Sequence, residues 1–91
     1  MWKFIVFGKG NCDLCDNRKA VISKALSIKG IEAEVVFFNA ETPEGRMELS
    51  MIDDSHGEIP VVCAYKNEEL VKIWDGPKAV VTTRDLMNLL E

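Results

Sequence analysis

Two cysteines, Cys12 and Cys15, lie three residues apart in Lys9-Gly10-Asn11-Cys12-Asp13-Leu14-Cys15, between an apolar stretch and a long amphipathic run. Thiols at positions i and i+3 of a helix start come within bonding distance. They can close into a small disulfide ring and open again by thiol–disulfide exchange. If the run after Cys12 is helical, its N-terminus points free N–H groups and a partial positive charge at the first sulfur. Such a site stabilises the thiolate, which is the reactive form, by up to about 2 kcal/mol, or roughly 1.5 pKa units. Cys12 would then attack a substrate disulfide and Cys15 would resolve the mixed disulfide, with Lys9 adding positive charge. Asp13 works the other way. At about 6 Å its carboxylate repels a Cys12 thiolate by roughly 0.7–2.8 kcal/mol, depending on the effective dielectric, and Asp16 pushes in the same direction. A Cys12 of reduced acidity is expected.

The pair needs a frame. Trp2 to Phe7 is rich in β-formers, is apolar almost throughout and ends at Gly8, which predicts an internal first strand. A helix follows from about Asp13 to Lys29, stopped by Gly30. Leu14, Val21, Ala25 and Ile28 make its apolar stripe, with Cys15, Ile22 and Leu26 beside it. Arg18, Lys19, Ser23, Lys24 and Ser27 are left to solvent. Residues Ile31 to Asn39 give a second strand, and strand–helix–strand with short connections implies a right-handed parallel unit. Thr42 and Pro43 start a second helix reaching about Ile52, although Gly45 weakens it. Asp53 to Gly57 reads as a loop. Pro60 opens a third strand, Val61 to Tyr65, and a tight turn at Asn67-Glu68 leads to a fourth, Leu70 to Trp74. After Asp75-Gly76-Pro77, Thr82 or Thr83 caps a last helix, Arg84 to Leu90. The order is βαβαββα: an α/β domain with a four-stranded mixed sheet flanked by three helices. The first and last helices should cover one face and the middle helix the other.

Composition narrows the classes. Ninety-one residues, 47% apolar and 29% charged, make one globular domain, residues 1–91. No apolar run approaches the ~20 residues of a membrane span. Met1 to Phe7 is too short for a signal peptide, so the expected location is the cytoplasm. A net charge of −4 argues against a nucleic-acid partner, which would want a basic surface. Three cysteines are few and odd in number for a secreted disulfide scaffold. In a reducing compartment, a close pair points to reactivity or to metal.

A CxxC closing the first strand of a βαβ unit reads as a redox motif of the thioredoxin type. More of the chain resembles the glutaredoxin family. Lys9, three residues before Cys12, and Lys19, four after Cys15, occupy the places of the family's lysines. Ile59-Pro60 fits its cis-proline, and Trp74-Asp75-Gly76-Pro77 is similar to the Trp-Ser-Gly-Phe of glutaredoxins that serve ribonucleotide reductase. The resemblance implies a thioredoxin-like fold and a small thiol–disulfide oxidoreductase, monomeric, with no bound cofactor and with protein or glutathione disulfides as substrates. It implies catalytic roles for Cys12, Cys15 and Lys9. Ile59 and Pro60 would dock a substrate chain as an added strand, and Lys19, Asp75 and Gly76 would complete substrate binding. Two departures stand out. Asp13-Leu14 replaces the usual Pro-Tyr, and Asp75-Gly76-Pro77 keeps one glycine where the family follows strand 4 with two. Pro77 also removes a backbone donor. The electron donor thus stays open between glutathione and thioredoxin reductase.

Two other classes fit the same residues: a non-enzymatic metal or iron–sulfur module, with Cys12 shared in a dimer, and a degenerate domain kept for protein binding. A structural zinc site needs four ligands, and only Cys63 and His56 remain as thiol or imidazole candidates. Cys63, in an apolar strand, reads as a buried small residue. His56 reads as a solvated loop residue, and Trp2 and Trp74 as packing. The acids Glu41, Glu44, Glu48, Asp53, Asp54 and Glu58 read as a solvated face.

Overall fold

The computed structural model describes residues 1–52 and 58–90. Its elements are β1 (Trp2–Gly8), α1 (Asp13–Lys29), β2 (Ala33–Asn39), α2 (Pro43–Ser50), β3 (Val61–Lys66), β4 (Glu69–Asp75) and α3 (Thr83–Leu89). They form one four-stranded sheet in the order β2-β1-β3-β4. β1 runs parallel to β2 and antiparallel to β3, and β3 is antiparallel to β4.

Period-two alternation divides β1 between two cores. Trp2, Phe4 and Val6 join Ile22, Ala25 and Leu26 of α1 and Leu86 and Leu90 at α3. Ile5 and Phe7 join Val61, Cys63, Leu49 and Ile52 on the α2 side. The central strand is therefore buried on both faces, and the helices divide between the two faces as expected. Trp2 stacks on Phe4 and Trp74 lies in the same core, so both tryptophans are packing residues.

Element ends follow local chemistry. Gly30 closes α1 at φ 65°, donating its N–H to the Leu26 and Ser27 carbonyls. Thr42 caps α2 by accepting from the Gly45 N–H at 3.0 Å. Thr82, not Thr83, caps α3 and forms a full capping box with Asp85. The turn at Asn67-Glu68 carries positive φ at both residues, 53° and 70°, as a two-residue hairpin of the primed type requires.

The differences from expectation are local. β2 begins at Ala33 rather than Ile31, and α2 ends at Ser50, with Ile52 buried beyond its last turn. β2 is an edge strand, so Val35 and Phe37 in its apolar run remain exposed. A register shift between Ala64 and Tyr65 adds an irregularity to the β3–β4 ladder. The stripe on α1 is out of phase. Its buried face is Cys15, Arg18, Ile22, Ala25 and Leu26, whereas Leu14 and Ile28 face solvent. Arg18, expected in solvent, is only 6% exposed. Apolar residues flank the true face on both sides and a charged residue sits within it, so hydropathy alone picks the wrong stripe.

Candidate active site

The cysteines stand where β1 hands over to α1. Asn11, at φ 54°, turns the chain through the left-handed region, which asparagine tolerates better than most residues. Cys12 follows in extended conformation as the N-cap of α1. Its sulfur accepts the Cys15 backbone N–H at 3.2 Å, and its carbonyl accepts that of Asp16 at 3.1 Å. The cap role usually taken by a serine or aspartate oxygen is here played by Sγ. An orphan donor at the helix start is thus aimed at the sulfur, the geometry that favours negative charge there. Cys12 and Cys15 form a disulfide, with Cα atoms 5.2 Å apart. Cys12 is half-buried, while Cys15 is 1% exposed.

Gly8 makes room for Cys15, a role that spacing and composition did not reveal. A Cβ at this last residue of β1 would lie 2.6 Å from Cys15 Sγ, 2.9 Å from Cys15 Cβ and 3.0 Å from a Phe37 ring carbon. The only sequence signal was a glycine ending a strand just before the pair. Gly8→Ala should lower stability by about 1–3 kcal/mol through overpacking and slow disulfide exchange by displacing the first turn of α1. Urea unfolding and thiol-exchange rates check this. An unchanged midpoint and rate would show that the sulfur has slack.

Ile59-Pro60 is a cis peptide, as the family resemblance implied. Phe7 pairs with Val61 across the β1–β3 ladder, so antiparallel register carries Pro60 to the level of Gly8, against which Cys15 rests. Asp75 pairs with Val61 at the end of β4. Gly76 follows at φ 86°, and a Cβ there would meet the Glu58 side chain at 3.6 Å. The C-terminal ends of β1 and β4 and the start of β3 therefore share one edge of the sheet. Cys12, Cys15, Ile59, Pro60, Asp75 and Gly76 gather there.

The lysines differ from one another. Lys9 is exposed in the loop before Cys12. Lys19 pairs with Asp16 at 3.5 Å and lies 4.5 Å from the centre of the Phe37 ring. Asp16 thus faces Lys19, while Asp13 lies exposed beside Cys12. Leu14, 45% exposed, stands between the cysteines as an apolar surface residue.

Cys63, in β3, is fully buried in the α2-side core. Burial first, and then the Asp75 charge, push its thiol up to about 12. It should resist iodoacetamide at pH 8 in the native protein and react only on unfolding. Because the unfolded thiol ionises near 9 and the folded one far higher, its contribution to stability is intact below pH 9 and is lost as pH climbs from 9 towards 12. Native-state alkylation of Cys63 at pH 8 would contradict this burial. His56 and the acids Asp53 and Asp54 lie outside the described residues. Among the described residues, no group of three or more histidine, cysteine or acidic side chains is arranged to hold a metal ion. No described helix is long and apolar enough to cross a membrane.

A four-stranded mixed sheet with the CxxC at the start of α1, opposite a cis-proline, is the thioredoxin fold. Solved structures agree. Thioredoxin O2 of Arabidopsis thaliana in its oxidised state superposes with a TM-score of 0.70 at 14% identity, over 99% of this chain and 72% of that one. Thioredoxin-2 of a malaria parasite gives 0.69 at 14% identity, covering 99% and 81%. Desulfothioredoxin of Desulfovibrio vulgaris Hildenborough in its reduced form gives 0.64 at 18% identity, covering 98% and 78%. No protein-family model and no curated protein matches the chain.

Proposed function

We propose that the protein is a small thiol–disulfide oxidoreductase of glutaredoxin type. One observation carries this reading: the half-buried Cys12 sulfur caps α1, bonded to the Cys15 N–H and paired with a buried Cys15. The Cys12 thiolate attacks one sulfur of a substrate disulfide. The substrate S–S bond breaks, a mixed disulfide forms, and the first substrate sulfur leaves as a thiolate that takes a proton from solvent. Cys15, deprotonated, then attacks Cys12 Sγ. The second substrate thiol is released and the Cys12–Cys15 disulfide closes. Two electrons pass to the substrate, and an external dithiol or glutathione restores the pair.

The helix terminus and Lys9 stabilise the Cys12 thiolate, and Asp13 moderates them. The backbone of Ile59, before Pro60, docks the substrate chain as an added strand, while Lys19, Asp75 and Gly76 flank the bound chain. Protein disulfides suit this open edge, and no bound cofactor takes part. The low, odd number of cysteines supports a reducing, cytoplasmic setting, where the protein acts as a monomer.

The test is to offer the oxidised protein glutathione alone, and separately thioredoxin reductase with NADPH, with insulin as the terminal disulfide. Reduction of insulin with either donor is expected, and the donor that works names the reductant. Failure with both, and with dithiothreitol, would overturn the reading.

A further inference from the structure

Phe37 borders the cysteine pair, and the reaction steps above do not use it. It lies in β2, an edge strand, opposite Val6 in the parallel ladder, so its side chain stands on the α1 face of the sheet. The point that a Gly8 Cβ would occupy is 2.6 Å from Cys15 Sγ and 3.0 Å from Phe37 Cε2. Sulfur and ring edge therefore flank the same small gap, with the ring on the outer side. The rest of the ring reaches the surface: Phe37 is 38% exposed, against 1% for Cys15. Phe37 belongs to neither core, so core filling does not account for it. Lys19 follows Cys15 by one turn of α1, and residues four apart are neighbours on a helix. Its Nζ stands 4.5 Å from the centre of the Phe37 ring and 3.5 Å from Asp16 Oδ1. A cation over an aromatic face and a sulfur near a ring edge are both attractive arrangements. Asp16, Lys19, Phe37 and Cys15 thus form one chain of contacts from the surface to the buried sulfur.

We infer that Phe37 is a positioning residue for the resolving step: its ring, held by Lys19, closes the β2 side of Cys15, so that this sulfur exchanges with Cys12 and not with external disulfides. The inference rests on the reading above and adds the residue that keeps the second thiol private to the pair. With the cover in place, the Cys15 thiolate attacks Cys12 Sγ of the mixed disulfide, the bond from Cys12 to substrate breaks, and the substrate thiolate leaves. Without it, Cys15 attacks an external disulfide instead. One half of that molecule stays bonded to Cys15, the other half leaves as a thiolate, and the pair no longer closes.

The experiment reads the cover in reduced Cys12→Ser protein, where Cys15 is the remaining thiol of the pair. Iodoacetamide labelling is timed at pH 8 and each site is quantified by peptide mapping. Adding Phe37→Ala should speed labelling of Cys15 by roughly ten-fold or more, because access limits a buried thiol, while Cys63 stays unlabelled. Lys19→Met leaves the ring in place without its cation and should speed Cys15 labelling by about two- to five-fold. A merely structural phenylalanine would loosen the fold and expose Cys63 together with Cys15. That result, or unchanged labelling of both, overturns the inference. Should Phe37→Ala not fold, Lys19→Met decides: a rise confined to Cys15 supports the cover, and no rise refutes it. With Cys12 restored and bis(2-hydroxyethyl) disulfide in excess, Phe37→Ala should accumulate chains carrying an adduct on Cys15, and the absence of that adduct would contradict the role in resolution. Labelling of Cys15 needs no turnover, so wild-type protein inert to insulin would sink the oxidoreductase reading separately.

Discussion

Cys12→Ser should reduce disulfide-reductase turnover to the uncatalysed background, a loss on the order of 10³-fold or more, as expected when the nucleophile itself is removed. The substitution tests chemistry with little effect on structure. Serine is among the preferred N-cap residues, so its hydroxyl can accept the Cys15 N–H that Cys12 Sγ accepts in the native protein. Comparing variant and wild type in their reduced forms removes the disulfide from both sides. The helix should therefore survive, and the urea midpoint of the reduced proteins should agree within a few tenths of a kcal/mol in stability. Activity alone should collapse. Cys15→Ser, by contrast, should retain the first attack and lose only resolution. Full turnover by Cys12→Ser would mean that the exposed end of the pair is not the nucleophile.

Gly45→Ala should be the most destabilising glycine-to-alanine change among the described residues. Two effects compete. Alanine favours a helix interior over glycine by about 1 kcal/mol, which predicts a gain. Against this, a Cβ at Gly45 would land on the Asn39 carbonyl oxygen, 2.5 Å from its carbon and 3.1 Å from the Ala40 Cα. These neighbours are backbone at the end of β2, held by the Ala40 N–H to Gly8 carbonyl bond at 2.7 Å. They cannot swing aside as a side chain would. Overpacking of this kind costs about 1–3 kcal/mol and occasionally more, and against immovable backbone the upper end applies. The net expectation is a loss of about 2 kcal/mol or more, from a domain whose whole stability is on the order of 5–10 kcal/mol. Chemical denaturation measures it. A rise in the midpoint would show that helix propensity wins and that α2 stands further from β2 than described.

The element order and the cysteine pair were legible in the sequence because each rests on local chemistry. β1 announced its two-sided burial through continuous apolarity, the caps at Gly30, Thr42 and Thr82 lay where their residue types belong, and CxxC fell at a strand-to-helix junction. What stayed hidden depended on contacts between distant segments. Gly45 reads locally as a poor helix residue, and only the approach of Asn39 shows why its lack of a side chain is needed. Gly8 reads as a strand end until Cys15 is laid against it. Arg18 reads as solvent-facing because the Ala79 carbonyl that receives it lies 61 residues away. The positive φ of Asn11, which sets the angle at which Cys12 enters the helix, left no periodic signal. The cysteine pair and its frame were thus readable locally, while the contacts that hold the pair in place became visible only in three dimensions.

Trapping tests the central claim most directly. Reduced Cys15→Ser protein, mixed with insulin and quenched in acid, should hold one polypeptide through a mixed disulfide. Peptide mapping under non-reducing conditions should place that bond at Cys12. Absence of an adduct, or an adduct carried by Cys63, would contradict the assignment of Cys12 as the attacking thiol.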